Sequence, residues 1–501
     1  MENQWTLMKP AAEVAAFNVE PGVDWVRFQF EFADPGRWFY INLWDSQGRI
    51  RFSHLDYHQV GWITIHRDPL QTSEQAIPGD IPAGEWKIEF VRGLPEAITL
   101  KWETGSGDAP FPVAEQPEEW DVWFDGHSPE AHAQGYYTLN RFDWDGPRER
   151  KRRWYKGDLH THTVLSDGDM TTGQITREAE ARGLDFFATT EHNILACRWP
   201  KSRTLVIPGF EVTSFGKGDW NAIGVKRWLD WRIGAPGGGI DTQQGMDRLM
   251  EECGGTGTLR CLNHPLDTPF AWMFMETPLS LLDGFEVMNS PTSSTSSAAT
   301  EQALVAWNAL WNEGYRTTGI GGSDIHAVPP TDEETADGTH ARLADPATYV
   351  DADELSASAI LSAVRAGRVY VSRCAELDIQ VKVDGRTYPL GCDLTEAVNQ
   401  SLKGTVEFTV VVDKMKEGTI HFIENGERVQ SSPIRKSGER FELFREWKTT
   451  GYRWARLEIR DSAGELIAFT NPVSYGQKDS MIKTWGQLLD QAGIEHPVNK
   501  R

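Results

Sequence analysis

The sequence predicts an α/β protein in which a central strand–helix region is flanked by two antiparallel β domains. Three observations carry that reading. Residues 154–375 alternate short apolar strands with helical patterns, the mark of a parallel βα architecture. Residues 1–150 and 376–475 instead alternate apolar and polar side chains at period two, the pattern of half-buried strands. At 501 residues the chain is also too long for one ordinary domain and implies two or three.

The first region, 1–150, reads as an N-terminal β-sandwich domain. Val26, Phe28, Phe30 and Phe32 alternate with polar neighbours, and similar runs surround 39–43, 63–65 and 86–90. Asp34-Pro35-Gly36, Ser46-Gln47-Gly48 and Pro82-Ala83-Gly84 punctuate them as turns, and strands at such spacing suggest an antiparallel sandwich. The many aromatic residues are read as core rather than as a sugar- or partner-binding surface. His54, His58 and His66 lack ligand-like neighbours and are read as surface or packing residues. Residues 103–120, rich in Gly, Pro and acid, form a loop or linker, and the charged run 148–153 is a solvated connector.

In the central region, 154–375, strands are expected at 157–161, 185–190, 204–208, 221–225, 258–263, 284–288 and 317–322. Helical patterns occupy 173–183, 241–252, 300–313 and 356–366; in the first, Ile175, Ala179 and Leu184 share a face. Gly237-Gly238-Gly239 lacks a following Gly-Lys-Ser/Thr, so it is a turn rather than a phosphate loop. Residues 376–475 return to alternation, as in Leu377, Ile379, Val381 and Val383, with Asp384-Gly385 and Asn425-Gly426 as hairpin turns. They read as a small immunoglobulin-like β domain. The tail, 476–501, carries one amphipathic helix with Ile482, Trp485, Leu488 and Leu489, docked on the body or on another subunit of a homo-oligomer.

Fifty basic against 73 acidic residues give a net charge of −23. That balance argues against nucleic acid or an anionic membrane as the main partner. It leaves an anionic small-molecule substrate open, because bound metal ions dominate the local field of a site that holds them. The five cysteines are scattered and form no Cys-x-x-Cys pair, which reads as reduced, mostly packed thiols. The N-terminus has neither a basic segment nor an apolar one, and no run approaches a membrane span. A cytoplasmic protein is expected.

The chemistry gathers where the apolar runs stop. His160-Thr161-His162 places two imidazoles on one face of extended chain, and Asp167 follows in Ser166-Asp167-Gly168. A lone His-x-His is weak, since paired surface histidines arise by chance. Four later segments repeat the pattern: Glu191-His192-Asn193, Glu211 in Pro208-Gly209-Phe210-Glu211, His264-Pro265, and Gly322-Ser323-Asp324-Ile325-His326. Each puts His, Asp or Glu near the end of a buried strand, where barrels of parallel strands carry their active sites. Mixed nitrogen and oxygen donors of this kind suit divalent transition metals.

Taken in order, these motifs resemble the polymerase and histidinol phosphatase (PHP) superfamily of metallohydrolases, and more narrowly its carbaryl-hydrolase-like branch. The resemblance covers roughly 153–375 and implies a distorted (β/α)7 barrel. It implies two or three divalent ions (Mn, Zn or Fe), bridged by a carboxylate and a water-derived hydroxide. Carried over, His160, His162, Glu211 and Asp324 surround the first ion. Glu211 bridges to a second ion held by His264, and Asp167, His192 and His326 make the third site. Whichever of His192 and His326 is not fully engaged with metal is expected to protonate the leaving group. The family usually has a histidine in a Gly-His-x-Asn segment, where this chain has Gly218-Asp219-Trp220-Asn221; Asp219 is taken as an oxygen ligand in its place, or else as a cap of the turn. Glu191 stands where an aspartate is common, and Ser166, Thr190 and Asn193 are expected around the ligands.

The function implied is metal-dependent hydrolysis of phosphomonoesters or phosphodiesters, the usual PHP activity. Hydrolysis of a carbamate, carboxylic ester or amide is the alternative that the narrower branch implies. The competing class is a non-catalytic, metal-stabilised binding module. Arg198, Lys201 and Lys217 lie on loops that could hold a phosphate, although charged surface residues serve solubility equally well. Residues 265–282, with Phe270, Trp272, Met273, Phe274 and Met275, either wall a substrate pocket or pack on a neighbouring domain. Residues 327–346, with Pro329-Pro330 and the acidic Asp332, Glu333, Glu334 and Asp337, form a candidate lid; His340 within them is read as solvated.

Overall fold

The computed structural model describes residues 3–8, 14–32, 39–56, 61–92, 97–110, 119–125, 137–328, 341–448 and 451–498. His58, His340 and the acidic stretch 329–340 lie outside them. Among the described residues no helix is long and apolar enough to cross a membrane.

The N-terminal strands form two four-stranded antiparallel sheets. The first orders Asn3–Met8, Ala97–Gly105, Trp25–Phe32 and Ile63–His66; the second orders Val14–Val19, Gly84–Arg92, Phe39–Trp44 and Ile50–Asp56. Alternate positions such as Val26, Phe28 and Phe30 are fully buried and meet Phe52, Trp86 and Ile88 in one apolar core. Other residues of these strands face the centre of the molecule, where Tyr40 stacks on Trp231 at 4.4 Å. His54 is buried against Phe52, and the His66 ring accepts the Asp68 N–H, so both pack rather than ligate.

The central strands run in two series. Leu205–Ile207, Phe186–Ala188 and Arg153–Asp158 pair in parallel. Gly209–Ser214, Gly218–Ile223, Leu259–Leu262, Gly284–Asn289 and Thr318–Gly322 make a second sheet. Two isolated parallel bridges join the series, Thr161 with Ile325 and His192 with Glu211. The helices between strands start where a side chain can satisfy their free N–H groups. Thr171 and Gln174 form a capping box ahead of Thr172–Ala181, and Thr242 and Ser356 cap Gln243–Cys253 and Ala357–Arg365.

The structure departs from a wholly parallel centre. Gly209–Ser214 and Gly218–Ile223 are antiparallel, as are Gly218–Ile223 and Leu259–Leu262. Only residues 215–217 connect the first pair, far too few for the crossover that parallel strands require. Nor does the central sheet end at 375. Ala347–Ala352 and Val369–Ser372 pair antiparallel beside Arg153–Asp158 and pass the sheet on to Leu466–Thr470, Arg453–Arg460 and Gly418–Glu424. A second C-terminal sheet, Arg386–Tyr388, Glu376–Val383, Thr405–Asp413 and Glu439–Glu446, covers the apolar face around Phe408 and Phe422. Likewise Trp120–Val122 pairs with Arg198–Pro200, so the chain joins the centre well before residue 150.

The tail helix, Trp485–Ala492, docks on the body. A capping box at Thr484 starts it and left-handed Gly493 stops it. Trp485, Leu488 and Leu489 are fully buried, and the Trp485 ring lies 6.0 Å from Phe285. Trp485→Ala should therefore cost about 3–5 kcal/mol of unfolding free energy. Leu402, which is 95% exposed, is the control: Leu402→Ser should stay within about 0.5 kcal/mol. Urea denaturation of both variants checks the contrast.

Candidate metal centre

The centre is built from turns that follow the central strands. Arg153–Asp158 stops at Asp158, whose buried carboxylate accepts N–H bonds from His160, Ser323 and Ala344 at 3.2, 3.1 and 2.7 Å. One side chain thereby ties the His160 turn to the Asp324 turn. The next turn is shaped by Glu191. It accepts from the hydroxyls of Thr163 and Ser166, each at 2.6 Å, and from both backbone N–H groups at 3.1 and 3.2 Å. Gly168 closes that turn, where a Cβ would fall 2.7 Å from the His162 carbonyl carbon. Asn193, His264 and Asp324 all have positive φ, at 54°, 25° and 51°. Such strain at three non-glycine residues is held by the surrounding packing and marks functional sites.

Three groups of donors result: His162, Asp167, His192 and His326; His160, His162 and Asp324; and His160, Glu211 and His264. Within each, the ligand atoms lie within 4.8 Å of one another. His160 Nε2 is 3.3 Å from Asp324 Oδ1 and 3.4 Å from Glu211 Oε1. His162 Nε2 is 3.1 Å from Asp324 Oδ1, and His264 Nε2 is 3.6 Å from Glu211 Oε1. The Nε2 atoms of His192 and His326 lie 3.4 and 3.3 Å from Asp167 Oδ1.

These residues fit divalent ions. His160 Nε2 and both nitrogens of His162 are buried without a hydrogen-bond partner, and Glu211 Oε2 lies 2.7 Å from His192 Nδ1. A buried polar atom left unpaired costs about 1–3 kcal/mol, and here several such atoms converge. Imidazole nitrogens mixed with carboxylate oxygens are the donor set of Mn, Zn and Fe.

The electrostatics point the same way. Burial, then the neighbouring His326 and His192, push His162 down to about 4, so it is a neutral imidazole with a lone pair to offer. Burial would lower His160, but Asp324, Glu286 and Glu211 outweigh it and raise it well above the usual histidine value. Burial would raise Asp324 and Asp167, yet the histidines facing them hold both well below the carboxylate range. Metal-free, the centre thus holds ionised carboxylates whose counter-charges are imidazolium protons, which cations can replace.

Eight of the nine residues expected as ligands fall into these groups. Asp219 does not. Its Oδ1 accepts the Ser214 N–H at 3.1 Å across the hairpin between Gly209–Ser214 and Gly218–Ile223, because the antiparallel pairing sets it beside the turn. Glu211 lies inside a strand rather than at its end. Ser166 and Thr190 support the turns through Glu191 and the Thr161 carbonyl, and Asn193 bonds the Thr213 backbone. The three basic residues are engaged elsewhere. Arg198 donates to the carbonyls of Pro69 and Thr72, Lys201 pairs with Glu119, and Lys217 donates to the Asp241 carbonyl. In the 265–282 loop Trp272 and Phe274 are core, while Phe270 is 57% exposed with its ring 6.1 Å from that of His264.

Sequence reasoning missed Asp158, Asn263, Thr213 and Glu286. Asn263 donates to Glu211 Oε1 at 2.6 Å, and Thr213 Oγ1 lies 2.6 Å from His192 Nδ1. Glu286 lies 3.2 Å from His160 Nδ1. Its one legible sign was a charge in the middle of the apolar run Phe285-Glu286-Val287-Met288.

No family model and no curated protein matches the chain. Among solved structures it is similar to a two-domain protein from Bacteroides vulgatus that contains a predicted PHP-like metal-dependent phosphoesterase. The two are 18% identical over 66% of this chain and 98% of that one, with a TM-score of 0.35. It is also similar to a CARDB domain from Pyrococcus furiosus in complex with di-metal ions, at 10% identity over 20% of this chain and 90% of that one, with a TM-score of 0.14. Likenesses this distant carry nothing about the reaction.

Asp219 gives the centre a pH signature. Burial, with the Glu211 carboxylate next, pushes it up to about 8, against an ordinary value of about 4. Between those values the folded, metal-free chain keeps a proton that the unfolded chain has lost, so stability falls as pH rises through the window. Asp219→Asn removes that ionisation. The metal-free variant should match the parent near pH 4 and gain on it toward pH 8. Urea midpoints across the range check this, and a gap independent of pH would exclude a protonated Asp219.

Proposed function

We propose that this chain is a metal-dependent hydrolase of the PHP type that acts on phosphate esters. The two strand series, joined through the Thr161–Ile325 and His192–Glu211 bridges, are read as its distorted (β/α)7 barrel. The observation that carries the proposal is the meeting of three donor groups, linked through His160 and His162, around buried imidazole nitrogens that no hydrogen bond satisfies.

In this reading His160, His162, Glu211 and Asp324 hold one ion, Glu211 and His264 a second, and Asp167, His192 and His326 a third. The chemistry such ions supply is Lewis acidity, which acidifies water and stabilises charge on the attacked and leaving oxygens. The protein's own part is to hold the donors rigid and to keep Asp167, Glu211 and Asp324 ionised. The acid for a leaving group would be whichever of His192 and His326 is not engaged with metal; His326, whose side chain is 37% exposed against 14% for His192, is the more open of the two. A carbamate, carboxylic ester or amide is the second reading. Two observations favour it: Arg198, Lys201 and Lys217 are committed away from substrate, and the exposed ring of Phe270 stands beside His264.

Metal analysis of the purified chain, with a screen of aryl phosphomonoesters, phosphodiesters and carbamate esters, tests the proposal. Hydrolysis should vanish on chelation and return with Mn, Zn or Fe(II). A chain with no metal-dependent turnover in any class would instead be a binding module. Asp324→Asn should lower turnover by orders of magnitude and reduce bound metal while circular dichroism stays unchanged; retention of both metal and turnover would refute the assignment.

A further inference from the structure

Glu286 belongs to none of the three donor groups, yet it touches two of their members. It lies within the strand Gly284–Asn289 and is 1% exposed. Both oxygens lie near His160 Nδ1, Oε1 the nearer and Oε2 at 3.4 Å. Oε1 is 3.2 Å from His160 Nδ1, while Oε2 accepts the His264 backbone N–H at 2.9 Å and the Asn289 side-chain N–H at 3.0 Å. The neighbouring strand leaves room for this arrangement only as glycine. A Cβ on Gly322 would press on His160 Cβ and come within 2.6 Å of Glu286 Oε1.

An ionised carboxylate only accepts hydrogen bonds. The nitrogen of His160 that faces Glu286 therefore carries a proton, and a neutral ring must then present a lone pair at Nε2. That atom is the one that points at Asp324 and Glu211. The second contact acts on the backbone. His264 sits at φ 25°, a conformation that needs support, and the Glu286 bond to its N–H holds the turn that sends its side chain to Glu211.

We propose that Glu286 is a positioning residue that sets the metal affinity of the centre through two ligands at once, fixing the tautomer of His160 and the backbone of His264. This rests on the reading of both histidines as ligands. Glutamine cannot replace it. With its carbonyl toward His160, its NH2 group meets the His264 and Asn289 N–H donors. Turned over, it donates to His160 Nδ1 and selects the tautomer whose proton occupies Nε2.

The test is Co2+ binding by the full-length chain, followed by visible absorbance against a competing chelator. Glu286→Gln should bind about 10–100-fold more weakly, the usual effect of removing a partner behind a metal-ligating histidine. The metal-free variant should keep the parent's circular dichroism while its urea midpoint falls, because buried donors that faced the carboxylate lose their partner. Parental affinity in Glu286→Gln overturns the inference and leaves the proposed function standing, as does a fall in metal-free stability without a change in affinity. A parent chain that takes up no Co2+ overturns both. Should Glu286→Gln not fold, Asn289→Ala, which loosens the Oε2 side, decides the matter. A smaller loss in the same direction supports the role and an unchanged affinity ends it.

Discussion

Asp167, Glu211 and Asp324 are drawn out of bulk water into one small volume with five imidazoles, and an ionised carboxylate in such a place is costly unless a cation answers it. The rest of the centre follows from that requirement. Its histidines face the carboxylates rather than solvent. Its turns accept positive φ at Asn193, His264 and Asp324 because the donors must converge. Two of the buried carboxylates outside the donor groups shape the turns. Glu191, raised by burial to about 7, organises the 163–168 turn, and Asp158, raised to about 6, ties two ligand-bearing turns together.

The fold supplies the convergence. Closure between the two strand series runs in part through Thr161 with Ile325 and His192 with Glu211, contacts made by the donors or their immediate neighbours, and in part through the Thr348 hydroxyl, which bonds the Gly321 backbone. The flanking regions brace this arrangement from outside. Tyr40 and Trp44 pack on Trp231 and Trp228, and the tail helix sets Trp485 against Phe285, next to Glu286. The C-terminal sheet continues the central one through Val369–Ser372 and Leu466–Thr470.

The centre is crowded with acid and imidazole, and the basic side chains nearest in sequence are bonded elsewhere. In the proposed reading, positive charge for an anionic substrate comes from ions at the donor groups. This agrees with an overall charge of −23, since a strongly acidic protein repels anions at long range and can hold one only where local cations outweigh that field.

The donors themselves were legible in the chain. His160-x-His162, Asp167, His192, Glu211, His264 and Asp324-x-His326 announce themselves because each sits beside an apolar run, and local spacing fixes where such a residue emerges. The central helices and seven of the central strands were legible for the same reason, to within a few residues at most ends, whereas Arg198–Pro200, Gly209–Ser214, Ala347–Ala352 and Val369–Ser372 were not. What the chain could not reveal depends on residues far apart in sequence. The antiparallel turn at 215–217 was hidden because strand periodicity is identical in either direction. Asp219 stands outside the donor groups and accepts the Ser214 N–H across that hairpin. Glu286 reads as an oddity in an apolar strand until the fold sets it 126 residues away against His160. Sequence determined which atoms this protein has to offer a cation; only tertiary structure decided which of them face one another, because burial and hydrogen bonding between distant segments set that geometry.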